Sequence, residues 1–596
     1  GSLGGFAQTF SSDLDDIAFD GIGEGREIKI PDCMKTRIKF LNPAQQAVGN
    51  MVKIAGIKQP RSNPKSKIIL GPLASTYHEG LGLKPVKMKP FRNKSGEFVV
   101  PEDNARMRYS KTAFIIDPGE LKATKNAVLK RMMRDSTSCV ASRISTHEAM
   151  AGPGHVKMMN RKSGVGYIES IRYDSKDKTT IMGTEGEVDK DAPKYKEFVK
   201  DCEDHEAKVL MGTPDKVSTV ADADIFSDFL KDELKSNAKV EAGADRKVSG
   251  SGAIATVMAR KAYHNVMSII IDPKNMIKNG SALGINPATQ WNELASHLLG
   301  FGTGILASDF KSWDGSLSHQ LMHAGFDVMD NICPTNDVEI KTLRHWVRVQ
   351  TCNSVHVDGP HLLVWTGSNP SGGAFTTVLN NIIQALAFHL IISRHVCSKQ
   401  RSLVSLPPLL DRTHFKCLEE GLWEDQLRNS DFGIASRISD LYQLVTFGDD
   451  GIMSISEELK LTTKDLAINA KSFGFALTNE DKSDPMVNPR VPGDLQSCTF
   501  LKRGFSFVEG VWQCPLDKNS IYKSMSFVKE KFDMADYERT LYNAALEFSM
   551  HGKETFDLER IRLVEATCEK GLSVTIPDYD DCRTEFLGSE ILTWVG

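Results

Sequence analysis

Apolar and polar positions alternate most sharply near residue 450. Leu444-Val445-Thr446-Phe447 and Ile452-Met453-Ser454-Ile455 flank Gly448-Asp449-Asp450, which predicts two strands joined by a tight turn with two carboxylates at its tip. Upstream, the apolar run Gly304-Ile305-Leu306-Ala307 predicts a strand with Asp309 at its exit, and helical spacing predicts helices over 318–332 and 374–394. Strand, helix, helix and hairpin in that order imply the centre of an α+β sheet with helices on one face. Another helix is predicted over 118–144, where Leu121, Val128, Leu129 and Met132 recur opposite Lys122, Lys125, Lys130 and Arg131. Segment 396–439, with Leu406-Pro407-Pro408-Leu409, reads as an insertion, and beyond Phe507 the pattern is mostly helical, with an amphipathic stretch over 534–551.

A chain of 596 residues exceeds what one core organises, so two to four subdomains are expected. Its net charge of −4 means that a nucleic-acid partner must be held by a local basic channel, not by the whole surface. The 11 cysteines are scattered singly without a CxxC pair, the pattern of reduced thiols in a cytosolic chain. Cys202 with His205, and His395 with Cys397, have zinc-compatible spacings, but neither has a second ligand pair nearby. No stretch approaches the roughly 20 apolar residues of a membrane span and no signal pattern opens the chain, so a soluble protein is expected. Gly1-Ser2, without an initiator Met, fits either a cloning scar or release from a precursor.

Asp309 begins an Asp-x4-Asp pattern with Asp314. Carboxylates on rigid strands suit magnesium ions that bridge phosphates, and Asp309, Asp449 and Asp450 are the candidates; a helix-capping Asp309 and a solvent-facing turn are the plainer alternatives. Ser371-Gly372-Gly373 opens a helix carrying Thr376, Thr377, Asn380 and Asn381. Thr376 and Asn380 lie one turn apart and suit a ribose hydroxyl, although a glycine-rich turn before a core helix would look the same. Lys231, Lys235, Lys239 and Arg246 are spaced to neutralise a triphosphate, or simply form a solvated charged face.

Taken together, KDELKSNAKVEAGADR (231–246), SALGINPATQW (281–291), DFKSWDGSLS (309–318), SGGAFTTVLNN (371–381), FGDD (447–450), LTNEDKSDP (477–485) and TFLKRGF (499–505) resemble, in order, the RNA-dependent RNA polymerases of picornavirus-like positive-strand RNA viruses. The resemblance runs from about residue 225 to the carboxyl end, and more faintly through 162–167. It implies a right-hand fold: fingers over 1–275 and 318–370, a palm over 276–317 and 371–506 built on a ferredoxin-like antiparallel sheet, and a helical thumb over 507–596. It implies that Asp309 and Asp449, assisted by Asp450, hold two Mg²⁺ or Mn²⁺ ions. Asp314, Ser371, Gly372, Thr376 and Asn380 would recognise the ribose; Lys235, Lys239 and Arg246 the triphosphate. Lys482 would protonate pyrophosphate, and Lys502 and Arg503 would steady the primer strand. The implied partners are template and product RNA, NTPs, a small genome-linked protein primer and viral replication proteins. The implied location is the host cytoplasm, at membrane-associated replication complexes reached through partners. Phe447 stands where the family commonly has Tyr, Ala244 where a basic residue is frequent, and the insertion has no counterpart; these departures suggest a divergent branch infecting invertebrates, plants or protists. A reverse transcriptase and a catalytically silent RNA-binding scaffold remain as rival readings.

Overall fold

In this computed structural model the described residues are 16–589, apart from 22–23, 41–46, 49, 111–113, 134–138 and 405–436. Most of the expected insertion, including its Pro-Pro pair, therefore lies outside the described residues, as does the amino-terminal Gly1-Ser2.

The centre is a four-stranded antiparallel sheet in the order Tyr442–Phe447, Asp450–Ile455, Gly304–Lys311, Ala476–Asn479. The strand Gly304–Lys311 is covered on both faces, which is why it reads as a nearly continuous apolar run. Leu306 and Phe310 enter one core and Ile305 and Ala307 the other, as the two-residue side-chain period requires. Against the first face packs the helix Thr376–Lys399, itself in contact with the helices His319–Ile332, Pro118–Met132 and Thr463–Lys471. By length and composition alone Thr376–Lys399 could cross a membrane, contrary to the expectation that no such stretch exists. However, 89% of its most apolar window is buried inside the protein.

The helix predicted over 118–144 ends at Met132. After the undescribed 134–138 the chain is irregular until Ser145, whose capping box with Glu148 starts the helix Thr146–Ala151. Its basic face is partly interior. Arg131 donates to the Tyr442 carbonyl at 2.6 Å with its guanidinium over the Tyr442 ring, and Lys125 pairs with Asp327 at 2.7 Å. The thiols also depart from expectation. Cys139, following that helix, is bonded to Cys333 at the end of His319–Ile332, with Cα atoms 5.2 Å apart. Cys202 is buried, His205 packs edge-on against Trp346, and neither zinc-spaced pair joins a metal-type cluster among the described residues.

A second, mainly antiparallel sheet runs Lys247–Gly250, Ile225–Leu230, Val355–Asp358, His361–Trp365, Met51–Ile57, Ile38–Phe40, with one parallel pair between Ile225–Leu230 and Val355–Asp358. At the carboxyl end, helices Lys518–Ser526, Met534–Phe548, Lys553–Glu569 and Tyr579–Leu587 share a core with the second face of the central sheet. The amino-terminal strand Ile68–Leu70 pairs with Phe527–Lys529. Beside this seam the Tyr537 hydroxyl donates to Met525 O at 2.7 Å and accepts from Leu73 N–H at 3.1 Å. Residues 68–73 and 525–537 thus meet directly.

Candidate active site

The hairpin closes in two residues, since Phe447 pairs with Asp450. Gly448 adopts φ +63° at the first central position, where a type II′ turn favours glycine. Asp449 is therefore at the tip, while Asp450 already belongs to the returning strand, directly opposite Asp309. Residues opposed across antiparallel strands project to the same face, so register alone brings Asp309 and Asp450 together. Lys482, at φ +68° after the last strand, lays its ammonium against the Asp309 carboxylate.

Three carboxylates this close repel one another. Burial, then Asp449 and Asp309, push Asp450 up to about 7. The surrounding protein and Asp309 also raise Asp449, which is exposed at the tip. Lys482 opposes both shifts without cancelling them. Hard oxygen donors short of positive charge fit divalent cations of the magnesium type.

Polar residues of the buried helix hold this tip. Asn381 accepts from Gly448 N–H at 2.8 Å and donates to Ser281 Oγ at 2.9 Å; Gln384 donates to the Asp449 carbonyl at 2.9 Å. Sequence reasoning assigned no role to Gln384, Ser281 or Asn381 at the tip. The available signal was amide side chains at 380, 381 and 384 inside an otherwise apolar helix.

Beside the carboxylates, Asn380 donates to Asp314 at 2.8 Å and accepts from Trp313 Nε1 at 3.0 Å and Asn369 at 2.8 Å. Burial raises Asp314 to about 6 despite the Asn380 bond. Thr376 donates to Pro370 O at 2.7 Å and so shapes the loop behind Asn380. Ser371 Oγ accepts from Ser249 N–H at 3.3 Å, and Gly372 N–H donates to Ser249 O at 2.9 Å. A Cβ on Gly372 would lie 2.4 Å from Ser249 O, so this contact requires glycine.

The basic residues divide into those facing the site and those tied elsewhere. Arg246 forks onto Glu233, and its charge reaches Asp449 and Asp314. Lys235 is mostly covered, binding the Ala244 carbonyl and Glu233. Lys239 is exposed on the short helix Asn237–Glu241, and no described contact ties it to the acidic cluster. Lys502 is exposed beside a cavity of about 240 Å³, also lined by Lys523, Ser520 and Ser524. Burial and neighbouring cations, Lys502 among them, lower both Lys231 and Lys523. Lys523 lies outside every motif and was not anticipated. Arg503 is a correction: its side chain is 2% exposed and paired with Glu547 at 2.7 and 2.8 Å, so it cannot reach an RNA strand.

A profile of the viral RNA-dependent RNA polymerases matches residues 122–567, about three-quarters of the chain. The chain belongs to that family. The match starts well before residue 225, where the motifs begin to be recognisable by eye. Among curated relatives, the replicase polyprotein of acute bee paralysis virus is 26% identical over 341 residues, 56% of this chain and 16% of that polyprotein. The genome polyprotein of rice tungro spherical virus is 22% identical over 511 residues, 82% of this chain and 14% of that polyprotein. The chain thus spans about one-sixth or less of the length of these relatives. Among solved structures, the Sicinivirus 3Dpol RNA-dependent RNA polymerase superposes with a TM-score of 0.66 at 15% identity, covering 92% of this chain and 99% of that one. The expected right-hand polymerase fold is the fold of this chain.

Proposed function

We propose that this chain copies RNA from ribonucleoside triphosphates: a 3′-hydroxyl attacks the NTP α-phosphate on an RNA template, and pyrophosphate leaves. The observation that carries the reading is the meeting of Asp309, Asp449 and Asp450, drawn together by strand register and a two-residue turn, next to the Asp314–Asn380 pair.

Asp309, Asp449 and Asp450 would hold two Mg²⁺ or Mn²⁺ ions, whose charge would favour the attacking and leaving oxygens. The chain's own groups do the rest. Asp314 and Asn380 present a carboxylate and an amide to a ribose 2′-hydroxyl, with Ser371 and Thr376 fixing the loop between them; this polar face favours a ribonucleotide and speaks against a reverse transcriptase. Arg246 steers the triphosphate through its charge, while Lys235 braces the backbone beneath it. Lys482 is exposed enough to leave Asp309 and hand a proton to the departing pyrophosphate. Lys502, with Lys231 and Lys523, receives the nascent strand. The fingers, palm and thumb boundaries of the sequence reading, a genome-linked protein primer, partner replication proteins and a cytoplasmic, membrane-associated location belong to this same proposal.

The test is primer extension with Mg²⁺ on an RNA template. Asp449→Asn should abolish incorporation while RNA binding persists. Unaltered incorporation would overturn the metal assignment, and a wild type that binds RNA without extending it would favour the silent scaffold.

A further inference from the structure

The strand Lys247–Gly250 follows Arg246 directly and is hydrogen-bonded through Ser249 to Ser371 and Gly372. It thus lies between the cation that faces the aspartates and the loop behind Asp314. Yet it has almost nothing apolar to hold it. Lys247 and Ser249 are buried, while Val248 and Gly250 are half-covered on the other face. A strand whose buried face lacks large apolar side chains has no hydrophobic pattern to fix its register. Lys247 supplies another means. Its side chain is 1% exposed, and its ammonium lies against Asp358 and 3.4 Å from Asp228, both buried.

Both aspartates are also held by other groups. They are register partners on the parallel strands Ile225–Leu230 and Val355–Asp358. Asp228 meets His356 Nδ1 at 2.8 Å, and the far side of that ring meets Ser354 Oγ at 2.7 Å. Asp358 accepts from Arg106 Nε at 2.8 Å. Arg106 belongs to the short helix Pro101–Met107, whose Asn104 also donates to Ala242 O at 3.2 Å. The segment that carries Arg246 is therefore tied on both sides of it to one frame.

In the observed register Lys247 stands opposite Leu230. A slip of two residues is the smallest that keeps the buried face buried. In one direction it brings Ser249 to that place, whose hydroxyl cannot neutralise two carboxylates; in the other it brings Asp245, a third acid. Either slip strands buried charge and moves Arg246 by about 6.8 Å along the strand. We propose that Lys247 is the register key of this strand and, through it, the positioning residue for Arg246. This role rests on the reading of Arg246 as the group that steers the triphosphate; Lys247, being buried, acts only through its neighbour.

The test compares the full chain with the double variant Lys247→Met/Asp358→Asn. Asp228 then keeps His356 and Arg106 keeps Asp103 at 2.5 Å, so the urea midpoint should stay close to that of the wild type. Hydrogen–deuterium exchange of residues 246–250, read without nucleotide, should accelerate about tenfold or more. In primer extension the KM for NTP should rise about tenfold while kcat changes by less than about threefold. In an Arg246→Ala background the same replacement should add no further rise in KM, whereas a merely stabilising role would act alike in both backgrounds. Asp358→Asn alone, which leaves Lys247 on Asp228, should show the same pattern more weakly and serves if the double variant does not fold. Unchanged exchange would overturn the register key. A fall in kcat at unchanged KM, or an equal rise in KM with and without Arg246, would overturn the positioning role. A wild type that never extends RNA would sink the polymerase reading instead, and the exchange rates would still decide the register.

Discussion

Arg503 and Glu547 are the place where burial and motif disagree, and their replacement separates the two. Arg503 donates to Glu547 at 2.7 and 2.8 Å and to Cys514 O at 3.0 Å, and both side chains of the ion pair are 2% exposed. Removing one partner strands the other's charge in the interior, at a cost of about 3–5 kcal/mol. That is a large part of the roughly 5–15 kcal/mol that holds a domain folded. Arg503→Ala and Glu547→Ala should therefore lower the urea midpoint to a similar degree. The double replacement Arg503→Met with Glu547→Leu should lower it far less, because no buried charge remains. RNA binding by fluorescence anisotropy, below the onset of unfolding and across a salt series, supplies the second axis. Lys502→Ala should flatten the slope of log K against log salt by about one with little change in stability, whereas Arg503→Ala should leave the slope intact. If Arg503→Ala weakened RNA binding at an unchanged unfolding midpoint, the buried assignment would be wrong.

Asn381→Ala leaves Gly448 N–H without its acceptor and removes one of the bonds of Ser281 Oγ; a loss of about 1–3 kcal/mol in stability and about a hundredfold fall in single-turnover extension, with NTP affinity nearly unchanged, are expected, and wild-type extension rates would refute this positioning role. Asn380→Ala should narrow the preference for NTP over dNTP by about tenfold, since the amide that orients Asp314 is lost; competition between UTP and dTTP on poly(A) measures it, and an unchanged preference would place ribose selection elsewhere. Because the folded pKa values of Asp450, about 7, and Asp314, about 6, are raised, their contribution to stability is present below the ordinary carboxylate pKa and is lost as pH rises towards 7. Mg²⁺ competes with the proton of Asp450, so the thermal shift it produces should be larger at pH 7.5 than at pH 5.5; a shift independent of pH would contradict the raised value of Asp450.

The central sheet was legible because its evidence is local. An apolar strand delivers Asp309, two short alternating runs enclose Gly448, and antiparallel pairing then fixes their meeting. Arg503 was not legible: a Lys-Arg dipeptide carries no mark of burial, and Glu547 lies 44 residues on, in the helix Met534–Phe548. The same holds for Arg131, whose carbonyl partner on Tyr442 is 311 positions away, and for Cys139, whose partner is 194 away. Helix 118–144 was overextended because the reading carried helical periodicity past the last spaced apolar position, Met132. In the basic segment, spacing identified the cations, but only packing shows that Glu233 claims Lys235 and Arg246. That competition separates a brace from a charge able to act on the catalytic cleft.

The pairing of Ile68–Leu70 with Phe527–Lys529 has a temporal side. A ribosome extends a chain from one end, and early portions begin to fold before later ones emerge. The residues that join these two strands are made more than 450 positions apart, so this seam cannot close until residue 529 has been made. Premature chain termination before residue 527 would leave Ile68–Leu70 without its partner strand even if the aspartate-bearing sheet had already formed.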